Sequence, residues 1–163
     1  MTAAPSVSTE HHARLQPHVD QLEQVAERVG TASGSELRPD LETAVSFLTD
    51  LLIPHMEAAE RAFYPELERL MQNRHSMTPM RREHEEIRAI IGELDRRRIA
   101  LTDGPLSTGD TVGLRRLLYR LHGLLKVHLA EEQLYAHIVE RGLTPDAEAA
   151  LAATMEHPGR TTI

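Results

Sequence analysis

The chain has no cysteine, no tryptophan, two phenylalanines and three tyrosines among 163 residues. Without thiols there are no disulfides, thiolate zinc sites or iron–sulfur clusters, so any bound metal must be held by nitrogen and oxygen. Iron, zinc, manganese and copper all remain open on that ground. With so few aromatic rings the interior must be built from Leu, Ile, Val, Ala and Met, a mixture that favours helices over sheets. Charged or polar groups break every long apolar run, and the start Met1-Thr2-Ala3-Ala4-Pro5 has no basic patch leading into an apolar stretch. A soluble, cytoplasmic protein without an export signal is therefore expected. Lys and Arg number 18 against 25 Asp and Glu, a net charge of -7 that argues against nucleic acid as a partner. The run Arg96-Arg97-Arg98 reads as a solvated helix end. No Ser-nucleophile motif, HExxH or Gly-rich phosphate loop is found, which sets aside hydrolytic and nucleotide chemistry of the common kinds.

Histidine, by contrast, is abundant, with ten in the chain. Their positions follow the apolar periodicity. Leu15, Val19, Leu22, Val25, Ala26 and Val29 make the stripe of a first helix that Gly30 stops, with Pro17 marking either its start or a kink. The stretch from Thr31 to Pro39 has loop chemistry, and Asp40 is the expected N-cap of a second helix. That helix carries Ala44, Leu48, Leu52, His55, Ala59 and Phe63, bends at Pro54 and closes near Pro65 or a few residues beyond. Thr78-Pro79 opens a third helix with Met80, Ile87, Ile91 and Leu94, ending before Gly104-Pro105. Asp110 caps a fourth, whose stripe runs from Leu114 through Leu121, Leu125, His128, Glu132, Tyr135 and Val139 to Gly142. Thr144-Pro145 starts a short fifth helix reaching about Met155, before a frayed tail. The expected architecture is one all-α domain, an antiparallel up-down-up-down four-helix bundle over about residues 10–141 with a short C-terminal helix and tail over 144–163.

On the fourth helix His128 and Glu132 stand four residues apart on a face shared with Leu121 and Leu125, so both point into the core. An isolated pair of this kind is usually a surface ion pair; flanking leucines turn it into a candidate metal site. His55 lies on the apolar stripe of the second helix and His84 on the margin of the third. The first helix offers His12 or His18, with His11 discounted; His12 precedes Leu15, Val19 and Leu22 as His84 precedes Ile87, Ile91 and Leu94. His122 falls on the seam of the bundle, as an indirect metal partner or a protein contact. His75, His137 and His157 are expected to be exposed.

These segments resemble the hemerythrin-like (HHE) family: His12 with Leu15 and Val19, His55 through Phe63-Tyr64-Pro65, Glu83-His84-Glu85-Glu86-Ile87, and His128-Leu129-Ala130-Glu131-Glu132. The resemblance spans most of residues 10 to 140. It implies a four-helix bundle holding two non-heme irons, bridged by an oxo or hydroxo group. It also implies His55, His84 and His128 as iron ligands, Glu132 as a bridging carboxylate, and His12 or His18 as the ligand from the first helix. The chain departs from the family twice. Ala59 stands where a Glu follows the second-helix His, and Met80 stands where oxygen carriers have a further His. His18, Glu60, His122 and Tyr135 are then the donors available to a second iron. Two functions compete at this stage. One is a diiron protein meeting peroxide, dioxygen or nitric oxide, with catalase-like removal or sensing favoured over oxygen transport by the missing donors. The other is a non-catalytic helical interaction module whose histidines are structural or bind adventitious metal.

Overall fold

The computed structural model describes residues 7–156, with side chains from His12 to Met155. His11 and His157 fall outside the side chains so described. Among the described residues the regular structure is helical. The rod α1 spans Val7–Arg28 and runs through Pro17 without ending there. The rod α2 is a chain of helical segments, Gly34–Phe47, Ile53–Ala58 and Tyr64–Leu70, joined by π-helical turns at Leu48–Leu52 and Ala59–Phe63. Thr78–Ile99 form α3, Thr108–Gly142 form α4, and Pro145–Glu156 form the short α5. Among the described residues no helix is long and apolar enough to cross a membrane.

The helix starts differ from the simple reading of acidic caps. Ser33, not Asp40, caps α2: its hydroxyl accepts from the Glu36 N–H, while the Glu36 carboxylate accepts from the Ser33 N–H at 2.7 Å. This reciprocal box satisfies two backbone donors at once, and burial of Leu37 and Leu41 extends the helix through Pro39. Ser107 rather than Asp110 caps α4, its Oγ accepting from the Asp110 N–H at 3.1 Å. Thr78 is the first residue inside α3 instead of its cap.

At Pro54 the expected bend is a wide turn. Leu48–Leu52 close with a bond from the Ile53 N–H to the Leu48 carbonyl, and Ala59–Phe63 close with one from the Tyr64 N–H to the Ala59 carbonyl. Each such turn ends two residues before a proline, Pro54 or Pro65. A proline lacks the N–H for an i−4 carbonyl and its ring crowds that carbonyl, so widening the preceding turn relieves both problems. The helix continues, but its face is rephased by one residue at each turn.

The rods pack as a ring, α1 against α2 and α4, and α3 against α2 and α4. One apolar cluster runs from Leu15, Val19, Leu41 and Leu52 to Ile91, Leu121 and Leu129. A second contains Ala59, Phe63, Tyr64, Met77, Met80, Ala136 and Val139, with Leu151 and Met155 of α5 laid against it. Between the two, α1 to α4 contribute five buried polar side chains: His12, His55, His84, His128 and Glu132.

Candidate metal centre

Glu132 sits one helical turn after His128, and both are fully enclosed. Its Oε2 accepts from two imidazoles, His12 Nε2 at 3.1 Å and His55 Nε2 at 2.9 Å. Its Oε1 faces the opposite side: His128 Nε2 lies 3.6 Å away, and the ligand nitrogens of His84 and His128 fall within 4.8 Å of a Glu132 oxygen and of each other. One carboxylate is thus shared by two triads, His12–His55–Glu132 and His84–His128–Glu132.

The second pair of imidazoles is held from behind. His84 Nδ1 donates to Glu60 Oε1 at 2.7 Å, and His128 Nδ1 donates to Glu83 Oε2 at 2.8 Å. Each carboxylate fixes the proton on Nδ1 and turns the lone pair of Nε2 inward. The two Nε2 atoms then face one another at 3.0 Å. Burial, followed by the neighbouring His128, lowers the His84 pKa from 6.5 to about 4, so its ring is neutral at physiological pH. Burial also pushes the Glu132 carboxyl up, but His55 and the hydrogen bonds from His12 and His55 outweigh it and hold the group well below the usual range.

These residues fit a cation on two counts. Two neutral imidazole lone pairs 3.0 Å apart repel unless something positive lies between them. Donors on one first-row metal at about 2.1 Å stand roughly 3 Å apart at right angles. The separations at Glu132 and between His84 and His128, 2.9 to 3.6 Å, fall in that range. Neutral imidazoles with a carboxylate suit iron, zinc, manganese and copper alike.

A family model for the hemerythrin HHE cation-binding domain matches residues 6–139. The chain belongs to that family. The match covers α1 to α3 and α4 almost to its end, so every member of both triads lies inside it. Among curated proteins and among solved structures, the comparisons give no significant match.

Of the donors singled out from sequence, the structure brings together His12, His55, His84, His128 and Glu132. It does not bring the other four to the cluster. His18 is half-buried and stacks on Phe47, ring centroids 4.8 Å apart. His122 turns outward between α1 and α4, with Asp20 at 3.8 Å and Glu23 at 4.0 Å. Tyr135 packs, partly buried, against the cluster of Ala59, Phe63 and Met80 instead of leaning towards Glu132. Glu60 stands behind His84, where Arg88 also donates to it at 3.0 Å. Burial raises the Glu60 carboxyl, but Arg88 and His84 bring it net below its ordinary value, so it acts as an ionised acceptor.

One residue in the cluster is not picked out by helical periodicity. Tyr64 is fully buried, with Oη donating to Glu132 Oε1 at 2.6 Å and lying 3.1 Å from His84 Nε2. At about 100° per residue Tyr64 falls roughly 180° from His55, on the outer face of α2. The π turn at Ala59–Phe63 removes about one residue of that rotation and brings the phenol inward. The usable signal in the sequence is Tyr64-Pro65, because the proline favours the wide turn that precedes it.

Proposed function

We propose that the chain is a two-iron protein that reacts with a small oxidant, with removal or sensing of hydrogen peroxide favoured over oxygen transport. The observation that carries the reading is that the two oxygens of Glu132 face different histidine pairs, Oε2 facing His12 and His55 and Oε1 facing His84 and His128. A carboxylate shared in this way would let Glu132 help hold two ions, one with His12 and His55 and the other with His84 and His128. The reading includes the up-down-up-down antiparallel order of α1 to α4, which the ring of packed rods and the short connections support.

A bound iron pair supplies the one- and two-electron redox chemistry needed to turn two molecules of hydrogen peroxide into two of water and one of oxygen. The protein's own part is positioning and exclusion. Glu60 and Glu83 lock the His84 and His128 rings; Glu132 supplies negative charge between the pairs. The site itself is buried, and Met56, Ala59 and Met80 on the rods that carry His55 and His84 are buried apolar residues, so a small uncharged oxidant is the partner suited to reach it. Dioxygen and nitric oxide share that property and compete in the same reading. Ala59 and Met80 offer neither the carboxylate nor the imidazole that would close off further coordination positions.

The test is metal analysis of protein made in iron-replete cells, followed by oxygen release from hydrogen peroxide. Close to two irons per chain and turnover above that of free iron are expected, both lost in His128→Ala. A long-lived, reversible oxygen-bound spectrum without peroxide consumption would replace scavenging with transport. Unchanged iron content in His128→Ala would remove the site itself.

A further inference from the structure

Around Glu132 Oε1 the donor atoms outnumber the protons available to link them. His84 and His128 have committed their ring protons to Glu60 and Glu83, so their Nε2 atoms are acceptors, and Glu132 Oε1 is an acceptor as well. Among the described residues the hydroxyl touching this group is that of Tyr64, 2.6 Å from Oε1 and 3.1 Å from His84 Nε2. One proton therefore serves three converging acceptors, an arrangement complementary to a cation and not to a closed hydrogen-bond network. On the Oε2 side, Ala59, one turn beyond His55, offers no donor atom from its side chain.

We propose that Tyr64 is itself a metal ligand, binding ferric iron through its phenol oxygen in the half-site of His84, His128 and Glu132. The inference rests on the two-iron reading above and adds a donor to it. It makes the halves chemically unequal, with two imidazoles and a carboxylate oxygen on one side and those plus a phenolate on the other. Ligation breaks the Tyr64 O–H bond. The electron pair stays on oxygen and passes to the cation, the proton goes to bulk water, and nothing is oxidised or reduced. The Arg81 guanidinium, 5.7 Å from the Tyr64 ring centroid, places positive charge over the ring that acquires the anion. The backbone that makes this possible is the π turn Ala59–Phe63, which seats residue 64 above residue 59. The carboxylate adjacent in sequence to Ala59, that of Glu60, is occupied by His84 Nδ1 and Arg88.

The experiment uses the full chain loaded with ferric iron. A tyrosinate-to-iron charge-transfer band in the visible, with tyrosinate ring modes enhanced by resonance Raman excitation within it, is expected in the unaltered protein. Because the chain has three tyrosines, the Tyr119→Phe/Tyr135→Phe double variant leaves Tyr64 alone, and it should keep both signals in full. Tyr64→Phe should lose both while the helical circular dichroism persists, and affinity for one of the two irons should fall at least about tenfold. If Tyr64→Phe does not fold, the double variant still decides, since any tyrosinate signal it carries can only be that of Tyr64. Two irons bound without a tyrosinate signal would overturn the proposal and leave the two-iron reading standing. Failure of the unaltered protein to bind iron would overturn both.

Discussion

His84 and His128 present their Nε2 atoms to each other at 3.0 Å while each gives its Nδ1 proton to a carboxylate on a neighbouring rod, Glu60 or Glu83. Two lone pairs so opposed are a liability in the metal-free protein and an asset once a cation joins them. Metal is accordingly expected to stabilise the fold. Thermal melts of iron-loaded and chelator-treated protein at pH 7.5 should differ by several degrees, a ligand present at 100 times its Kd being worth about 2.7 kcal/mol. Coincident melts would show that the imidazoles relax apart at no cost.

The carboxylates behind these rings offer a test that leaves every proposed ligand in place. Glu60→Gln and Glu83→Gln remove the anionic acceptor that fixes the His84 and His128 tautomers. Each should lower metal affinity about 10- to 100-fold by titration against a competing chelator. His18→Ala, His122→Ala and Tyr135→Phe, whose side chains lie elsewhere, should leave it within about twofold. An effect of His122→Ala equal to that of Glu60→Gln would contradict the geometry.

Acid should unfold the metal-free protein in a defined window. A histidine in the unfolded chain takes up a proton near 6.5, whereas folded His84 does so only at about 4. The unfolded state therefore binds more protons, and stability falls as the pH drops from about 6.5 towards 4. At about 1.4 kcal/mol per pH unit the loss from this one group is of order 3 kcal/mol. Glu132 acts in the same direction. Its folded value lies well below 4.5, so the stability it contributes above that pH is lost as pH falls further. Denaturant titrations of chelator-treated protein at pH 7.5, 5.5 and 4.5 measure this. Flat stability across them would mean the buried imidazole charges freely.

Away from the metal, the start of α2 is pinned by a close approach. A Cβ at Gly34 would stand 1.7 Å from the Thr102 carbonyl oxygen, and the Gly34 N–H donates to the Gly104 carbonyl at 2.9 Å. The obstacle is backbone, so it cannot rotate aside. Gly34→Ala is expected to cost about 1–3 kcal/mol in chemical denaturation despite the better helix propensity of alanine. Gly123→Ala, in α4 with open space around it, should be neutral or stabilising. Equal behaviour of the two would show that the loop moves freely.

The helical class, the stripes on α1, α3 and α4, the stop at Gly30 and the inward pairing of His128 with Glu132 were legible in the sequence, because 3.6-residue periodicity is local and survives without knowledge of neighbours. For the same reason His55 could be placed on an inner face, whereas His84 fell on the margin of its stripe and its full burial was decided by packing. Choosing between His12 and His18 required the packed bundle, since both lie near one stripe and only the distance across to Glu132 separates them. The sequence could not show that Glu60 would turn to the back of His84, or that Tyr135 would pack beside the site instead of into it. Tyr64 escaped periodicity altogether, because the wide turn before Pro65 changes the phase of the helix and moves an outward residue inward. Local pattern dictated which rods form and which faces are apolar; the meeting of four rods, and one extra residue in a turn, decided which polar atoms share the centre.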